Sequence, residues 1–172
     1  MVFMRSIFDE IAAQFPDVET ERIYVDAAAL FFVQRPETFD VLVTENMFGD
    51  ILSDLAAGLV GGMGMAPSGD IGDDCAVFQP SHGTAPDIAG KGIANPIATI
   101  LSVALMLEWL GDEETLRGAG MINAAVEKAL SNPDNRTSDL NGKLSTVEMT
   151  DAILSALADL PQPESAATAA TT

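Results

Sequence analysis

The chain has one cysteine, one histidine, one tryptophan and one tyrosine, and only 8 basic residues against 26 acidic ones. A lone Cys75 excludes an intrachain disulfide and a cysteine-rich metal centre, and it fits a reducing, cytoplasmic compartment. The formal net charge of −18 repels phosphate backbones and anionic lipid surfaces, which argues against nucleic acid and membranes as partners. The same charge suits binding of a cation, although an acidic surface more often simply keeps a protein soluble. No apolar run is long enough to span a bilayer, which takes about 20 residues. The longest uncharged stretch, Gly92 to Leu107, is broken by Asn95-Pro96. No basic segment followed by an apolar core opens the sequence, so no secretory signal is read. A P-loop, a Gly-x-Ser-x-Gly elbow and a Gly-x-Gly-x-x-Gly fingerprint are all missing. Gly62-Met-Gly64 and Gly90-Lys-Gly92 are only weak approximations to the last.

What is present reads as one α/β domain over residues 1–160 and a tail, 161–172, too poor in apolar residues to fold. Helical periodicity appears over Phe3–Phe15, Ala27–Val33, Met47–Val60, Pro96–Leu110 and from Asp112 to about Ser131. Ser145 and Glu148 have capping-box spacing for a last helix to about Leu160. The helix up to Leu110 is apolar on nearly every side and is expected to be buried. Two compact apolar runs, Arg22–Val25 and Phe39–Val43, read as buried strands. With the helix between them they predict a right-handed parallel crossover, hence a parallel-containing sheet with flanking helices. Met65–Asp70 and Ala76–Phe78 read as two further short strands.

Three constellations could carry chemistry. Asp50 and Asp54 are four apart, so they share one helical face opposite an apolar stripe. Two close carboxylates repel unless a cation lies between them, and a hard divalent ion such as Mg²⁺ or Mn²⁺ prefers such oxygen donors. The plainer reading is a favourable charge near a helix start and a solvated neighbour. Asp26 follows the apolar run 23–25, where it either faces a ligand or caps the next helix. The turn-rich segment from Gln79 to Asn95 combines glycines for close backbone approach, Asp87, and the one histidine, His82. An acid on a nucleotide-binding loop can accept both ribose hydroxyls and repels a 2′-phosphate. The alternatives are a purely structural loop and an Asn95 that only caps the helix after Pro96.

In order along the chain stand Val25-Asp26-Ala-Ala-Ala29, Phe39-Asp40-Val41, Glu45-Asn-Met-Phe-Gly-Asp-Ile-Leu-Ser-Asp54, His82-Gly-Thr-Ala-Pro-Asp-Ile-Ala-Gly90 and Gly92-Ile-Ala-Asn-Pro96. This series resembles the β-decarboxylating dehydrogenases that act on isopropylmalate, isocitrate and tartrate or D-malate. The resemblance covers nearly all of Phe3 to Leu160 and implies an isopropylmalate-dehydrogenase-like fold. It implies NAD with Mg²⁺ or Mn²⁺ as cofactors, a 2-hydroxy-acid substrate and a homodimer. Asp50 and Asp54 would hold the metal, and Asp26 would complete the metal and substrate site of the neighbouring subunit. His82, Gly83, Thr84, Ala85, Pro86, Asp87, Ile88 and Asn95 would hold the adenosine half of the cofactor, with Asp87 selecting NAD over NADP. Gln79 departs from the glutamate of many isopropylmalate enzymes. The family's catalytic lysine, catalytic tyrosine and substrate-clamping arginines have no match here, since Tyr24 and the scattered basic residues do not fit those motifs. The resemblance therefore implies the carboxy-terminal half of an oxidative decarboxylase, with no catalytic proton-transfer residue of its own. The rival expectation is a non-catalytic nucleotide-binding or dimerisation remnant.

Overall fold

The computed structural model describes residues 2–161, so nearly all of the tail expected over 161–172 lies outside the described residues. The chain divides into two compact units, the first ending at Gly49 and the second beginning at Asp50.

The first unit holds α1 (Val2–Ala12), α2 (Val25–Gln34) and a 3-10 turn at Pro36–Thr38. Helix α1 is amphipathic but buries none of its residues, and Phe3 remains 77% exposed. Its apolar side joins Phe15, Val18 and Val43 in lining an open groove of about 570 Å³. An exposed ion pair between Arg22 and Asp9 ties the following segment to α1 and, being solvated, adds little stability. Helix α2 ends at Arg35, whose guanidinium lies 3.9 Å from the Phe31 ring centroid. Phe32 and Phe39 meet edge to face at 4.8 Å, which closes the turn after α2.

The parallel crossover expected here is not formed. Residues 21–24 and 39–45 are not strands, and Val25 already belongs to α2. The reason is the lack of a ladder partner. A strand exists only where a neighbour accepts its N–H groups, and no described strand lies beside either run. Several of the apolar side chains that suggested burial are instead exposed, Val41 by 84%, while Ile23, Val25 and Phe39 are half-buried. The only sheet among the described residues is antiparallel, so the expected parallel-containing sheet is corrected to a mostly helical structure with one hairpin.

That hairpin belongs to the second unit. It pairs β1 (Pro67–Ile71) with β2 (Ala76–Pro80), in register Gly69 opposite Phe78; the sequence suggested the two strands but not their pairing. Helix α3 (Asn46–Leu59) precedes it, and α4 (Ile97–Leu110), α5 (Glu113–Leu130) and α6 (Thr146–Ala158) follow. The core joins Ile97, Ala125, Val126, Ala129, Met149, Ile153 and Ala156 from α4, α5 and α6. Alanines at the contacts let the helices approach closely, while Ile97 and Met149 are fully buried and fill the space between them.

Helix α4 buries Ile97, Ala98, Ser102 and Ala104, and none of its residues beyond Ala104. Its last turns leave Met106, Trp109 and Leu110 partly exposed, so full burial is corrected to burial of one half. Trp109 still meets Phe78 of β2, with ring centroids 6.1 Å apart, and so holds the hairpin to α4. Gly111 ends α4 in the left-handed conformation. Asp112 then caps α5 by accepting from the backbone N–H groups of Glu114 and Thr115 at 3.0 Å. The capping box at Ser145 and Glu148 is formed as its spacing suggested. No helix among the described residues is long and apolar enough to cross a membrane.

Candidate functional site

Helix α3 presents the acid pair. Its start is fixed by Glu45, whose carboxylate accepts from the N–H groups of Met47 (3.2 Å) and Phe48 (3.3 Å). The sequence reading saw Glu45 only as part of a motif and missed this capping role. Leu52 and Ala57 are the buried residues of α3, which leaves Asp50 and Asp54 exposed one turn apart. The Ser53 hydroxyl donates to the Asp50 carbonyl at 3.1 Å, so it is turned back on its own helix. The pair offers hard oxygen donors on an open surface, which fits a divalent cation that keeps water or substrate in its remaining positions. Among the described residues no cluster of three or more metal-ligating side chains forms.

Asp26 lies in the first turn of α2, within the first unit. Tyr24, not Asp26, occupies the cap position and makes no side-chain cap bond. The exposed Asp26 carboxylate accepts from the N–H of Ala27 at 2.8 Å and gains from the positive end of the helix.

The candidate cofactor loop begins where β2 ends. The Ser81 N–H donates to Ala66 O at 3.1 Å, anchoring the loop to the base of the hairpin. His82 contacts the Gly83 carbonyl through Nδ1 at 2.9 Å. That bond requires the proton on Nδ1, and in a neutral ring it leaves Nε2 as an acceptor. Gly83 has nothing near its Cα, so a ligand can approach the backbone there. Thr84 is exposed. Ala85 has φ +44, a left-handed conformation that costs energy in a residue with a Cβ and is typical of ligand-binding loops. The Ile88 N–H returns to Ala85 O at 3.0 Å, closing a turn over Pro86 and Asp87 that leaves the Asp87 carboxylate in solvent and Ile88 half-buried. Gly90 and Gly92 are also left-handed and turn the chain toward α4.

The end of the loop is held by residues that the sequence reading missed. Thr146 donates from its N–H to Gly92 O (2.8 Å) and from its hydroxyl to Ala94 O (2.6 Å). The Asn95 side chain is only 7% exposed. Its Oδ1 accepts from the N–H of Ile97 at 3.0 Å, as the helix-capping alternative requires. Its Nδ2 donates to Asp139 Oδ2 at 3.0 Å and lies 3.6 Å from the Met65 sulfur. The Thr137 hydroxyl, fully buried, donates to the other oxygen of Asp139. These contacts join positions up to 54 apart in sequence, from Gly92 to Thr146, so no local pattern signals them.

A sequence profile of the isocitrate/isopropylmalate dehydrogenases matches residues 1–153. This chain belongs to that family. It is 56% identical over 151 residues to an isocitrate/homoisocitrate dehydrogenase of Thermus thermophilus, covering 88% of this chain and 44% of the relative. It is 49% identical over 149 residues to a 3-isopropylmalate/3-methylmalate dehydrogenase of Methanocaldococcus jannaschii, covering 87% and 44%. The fold matches the crystal structure of an isocitrate dehydrogenase from Methylococcus capsulatus with a TM-score of 0.79, at 45% identity, over 88% of this chain and 44% of that one. The chain thus spans less than half the length of these relatives.

Proposed function

We propose that this chain contributes the metal-holding acids and the adenosine loop to an NAD- and divalent-metal-dependent oxidative decarboxylation of a 2-hydroxy acid. The observation that carries the proposal is the exposed acid pair Asp50 and Asp54 on one face of α3. Their oxygen donors suit Mg²⁺ or Mn²⁺ and leave coordination positions for the substrate's hydroxyl and carboxylate. Asp26, at the start of α2, serves the same site in a second copy of the chain, which makes the working unit a homodimer. His82 to Ile88 surround the adenosine, and the solvated Asp87 carboxylate accepts the ribose hydroxyls and repels a 2′-phosphate. Asn95 acts through its backbone, because its side chain is committed to Ile97 and Asp139. When bound, the ion supplies Lewis-acid polarisation of the oxidised substrate's carbonyl and the nicotinamide supplies a hydride acceptor. Proton transfer falls to groups outside the described site, since the sole tyrosine, Tyr24, is exposed and far from fitting the role by sequence.

We take 3-isopropylmalate as the first substrate to test. A second reading, isocitrate or homoisocitrate, is favoured by the 56% identity to the Thermus thermophilus relative. Tartrate and D-malate remain in the same chemical class.

The reading is tested by titrating the chain with NADH and NADPH and following nucleotide fluorescence. NADH binds more tightly by about tenfold, the scale of one unfavourable charge contact, and Asp87→Ala removes the difference. Equal affinities in the unaltered chain, or no nucleotide binding, contradict the cofactor assignment. With Mn²⁺ and each hydroxy acid, the chain alone forms no NADH above background. Robust turnover would contradict the assignment of proton transfer elsewhere.

A further inference from the structure

We propose that Asp139 is a positioning residue for the cofactor loop, acting through Asn95 rather than on the ligand. The inference rests on the reading of 82–95 as the adenosine loop and adds a residue outside that loop which sets its shape.

The loop leaves β2 under the control of a single backbone bond, from Ser81 to Ala66. Between Gly83 and Gly92 it is stabilised mostly by its own short turns, three of whose residues are left-handed. Its far end is therefore the place where its conformation is decided. There Asn95 is held on three sides. Ile97 N–H fixes Oδ1, and Asp139 and the Met65 sulfur take the two sides of Nδ2. Asp139 is in turn fixed by the Thr137 hydroxyl, which is wholly buried. The turn carrying these residues is rigid: Gly142 N–H donates to Thr137 O at 2.8 Å, and Leu144 N–H to Arg136 O at 2.9 Å. Two residues further on, Thr146 takes hold of Gly92 and Ala94. The segment 137–146 thus grips the loop at positions 92, 94 and 95, and Asp139 is its only charged contact.

The tight fit at Gly64 points the same way. A Cβ there would lie 2.7 Å from Asp139 Oδ2 and 2.8 Å from Asn95 Cβ, so the pair approaches the Gly64 backbone closely in a space that only glycine leaves open. A carboxylate suits the position because both of its oxygens accept, one from an amide and one from a hydroxyl.

The hydrogen-bond inventory makes the test specific. Asn in place of Asp139 can still accept from Asn95 through its oxygen and can donate to the Thr137 hydroxyl through its amide. Alanine can do neither. Two readouts are needed: backbone amide exchange over residues 88–95, which requires no ligand, and NADH affinity. In D139A, exchange over 88–95 quickens by about tenfold or more while the core amides of α5 are unchanged, and NADH binding weakens by about tenfold. D139N stays within about threefold of the unaltered chain in both. N95A and the N95A/D139A double variant are equal, because Asp139 acts only through Asn95. If D139A does not fold, T137V, which removes only the hydroxyl, quickens loop exchange in the same direction.

Unchanged loop exchange in D139A and T137V overturns the inference, whatever the NADH result. So does a D139N variant as impaired as D139A, which would assign the effect to charge and not to geometry. Additive losses in the double variant overturn it as well. A chain that binds no NADH refutes the cofactor reading separately, and loop exchange then still decides whether Asp139 sets the loop.

Discussion

The packing at Gly64 gives a prediction in which one chemical change has opposite signs at two positions. Gly64 lies between α3 and β1, where its carbonyl accepts from Ala98 N–H at 2.9 Å. In Gly64→Ala the new methyl would sit 2.7 Å from Asp139 Oδ2, 2.8 Å from Asn95 Cβ and 3.3 Å from Asn95 Nδ2. None of these neighbours can easily yield. Asn95 is buried and capped onto α4, and Asp139 is held by Thr137. Relieving the overlap costs about 1–3 kcal/mol as overpacking. Losing the charge-assisted Asn95–Asp139 bond adds about 1.5 kcal/mol. A total near 3 kcal/mol lowers Tm by about 9 °C in a chain of this size. Gly120, on α5, has nothing within 4 Å of its hypothetical Cβ. Gly120→Ala there gains about 1 kcal/mol of helix propensity and raises Tm by about 3 °C. Circular dichroism melts of the two variants beside the unaltered chain decide the matter. A Gly64→Ala chain that melts within a degree or two of the unaltered one would refute the packing argument, as would two shifts of the same sign.

Asp54→Asn leaves the backbone of α3 intact but removes one of two negative charges facing a divalent ion; near water, one unit charge against two at about 4 Å is worth about 2 kcal/mol, so Mn²⁺ affinity falls about 30-fold by calorimetry. In the ion-free chain the same change relieves repulsion between the acids, so Tm stays level or rises slightly, whereas a loss of stability would point to a structural role. Acid lowers stability through the two helix caps. The Thr115 backbone N–H, then its hydroxyl, hold the Asp112 carboxyl below its ordinary value of 3.8, and Ser145 does the same for Glu148 below 4.5. Each folded-state value is depressed, so each contribution is fully present above the ordinary carboxylate range, begins to fall below it and is lost as pH drops through the depressed folded-state value. Melts from pH 7 down to pH 3.5 should therefore steepen below about pH 4.5, and Asp112→Asn should flatten part of that slope.

Helices were legible because each carries its own signal. The capping box at Ser145 and the 3.6-residue periods are local, and the structure forms them within a few residues of where the sequence suggests; the Asp112 cap and the Gly111 stop it adds are equally local. The two strands of the hairpin were legible as short apolar runs, but their antiparallel pairing across Gly72 to Cys75 was not read. The parallel crossover was not, because the apolar runs at 22–25 and 39–43 record a capacity to pair and not a partner. Burial of α4 was overestimated because an all-apolar helix does not say which neighbours reach its far end, and here none cover Leu110. At the candidate site, the one-turn spacing of Asp50 and Asp54 was legible from helical periodicity, while the choice of a metal role came only from the resemblance. The grip on the loop was not, since Asn95 and Asp139 are 44 residues apart and a single asparagine before a proline reads first as a cap. It is that cap as well, through Oδ1, while its amide serves the second role.

The metal-site proposal requires a divalent ion to select α3 out of a chain carrying 26 acidic residues. The most direct test is a ¹⁵N-labelled chain titrated with Mn²⁺ well below one equivalent, whose unpaired electrons broaden only nearby amides. The account predicts that signals around Asp50 to Asp54 vanish first, and that they persist in Asp54→Asn. Broadening centred on Asp73-Asp74 or on Asp112 to Glu114, or spread evenly over the acidic surface, would contradict it.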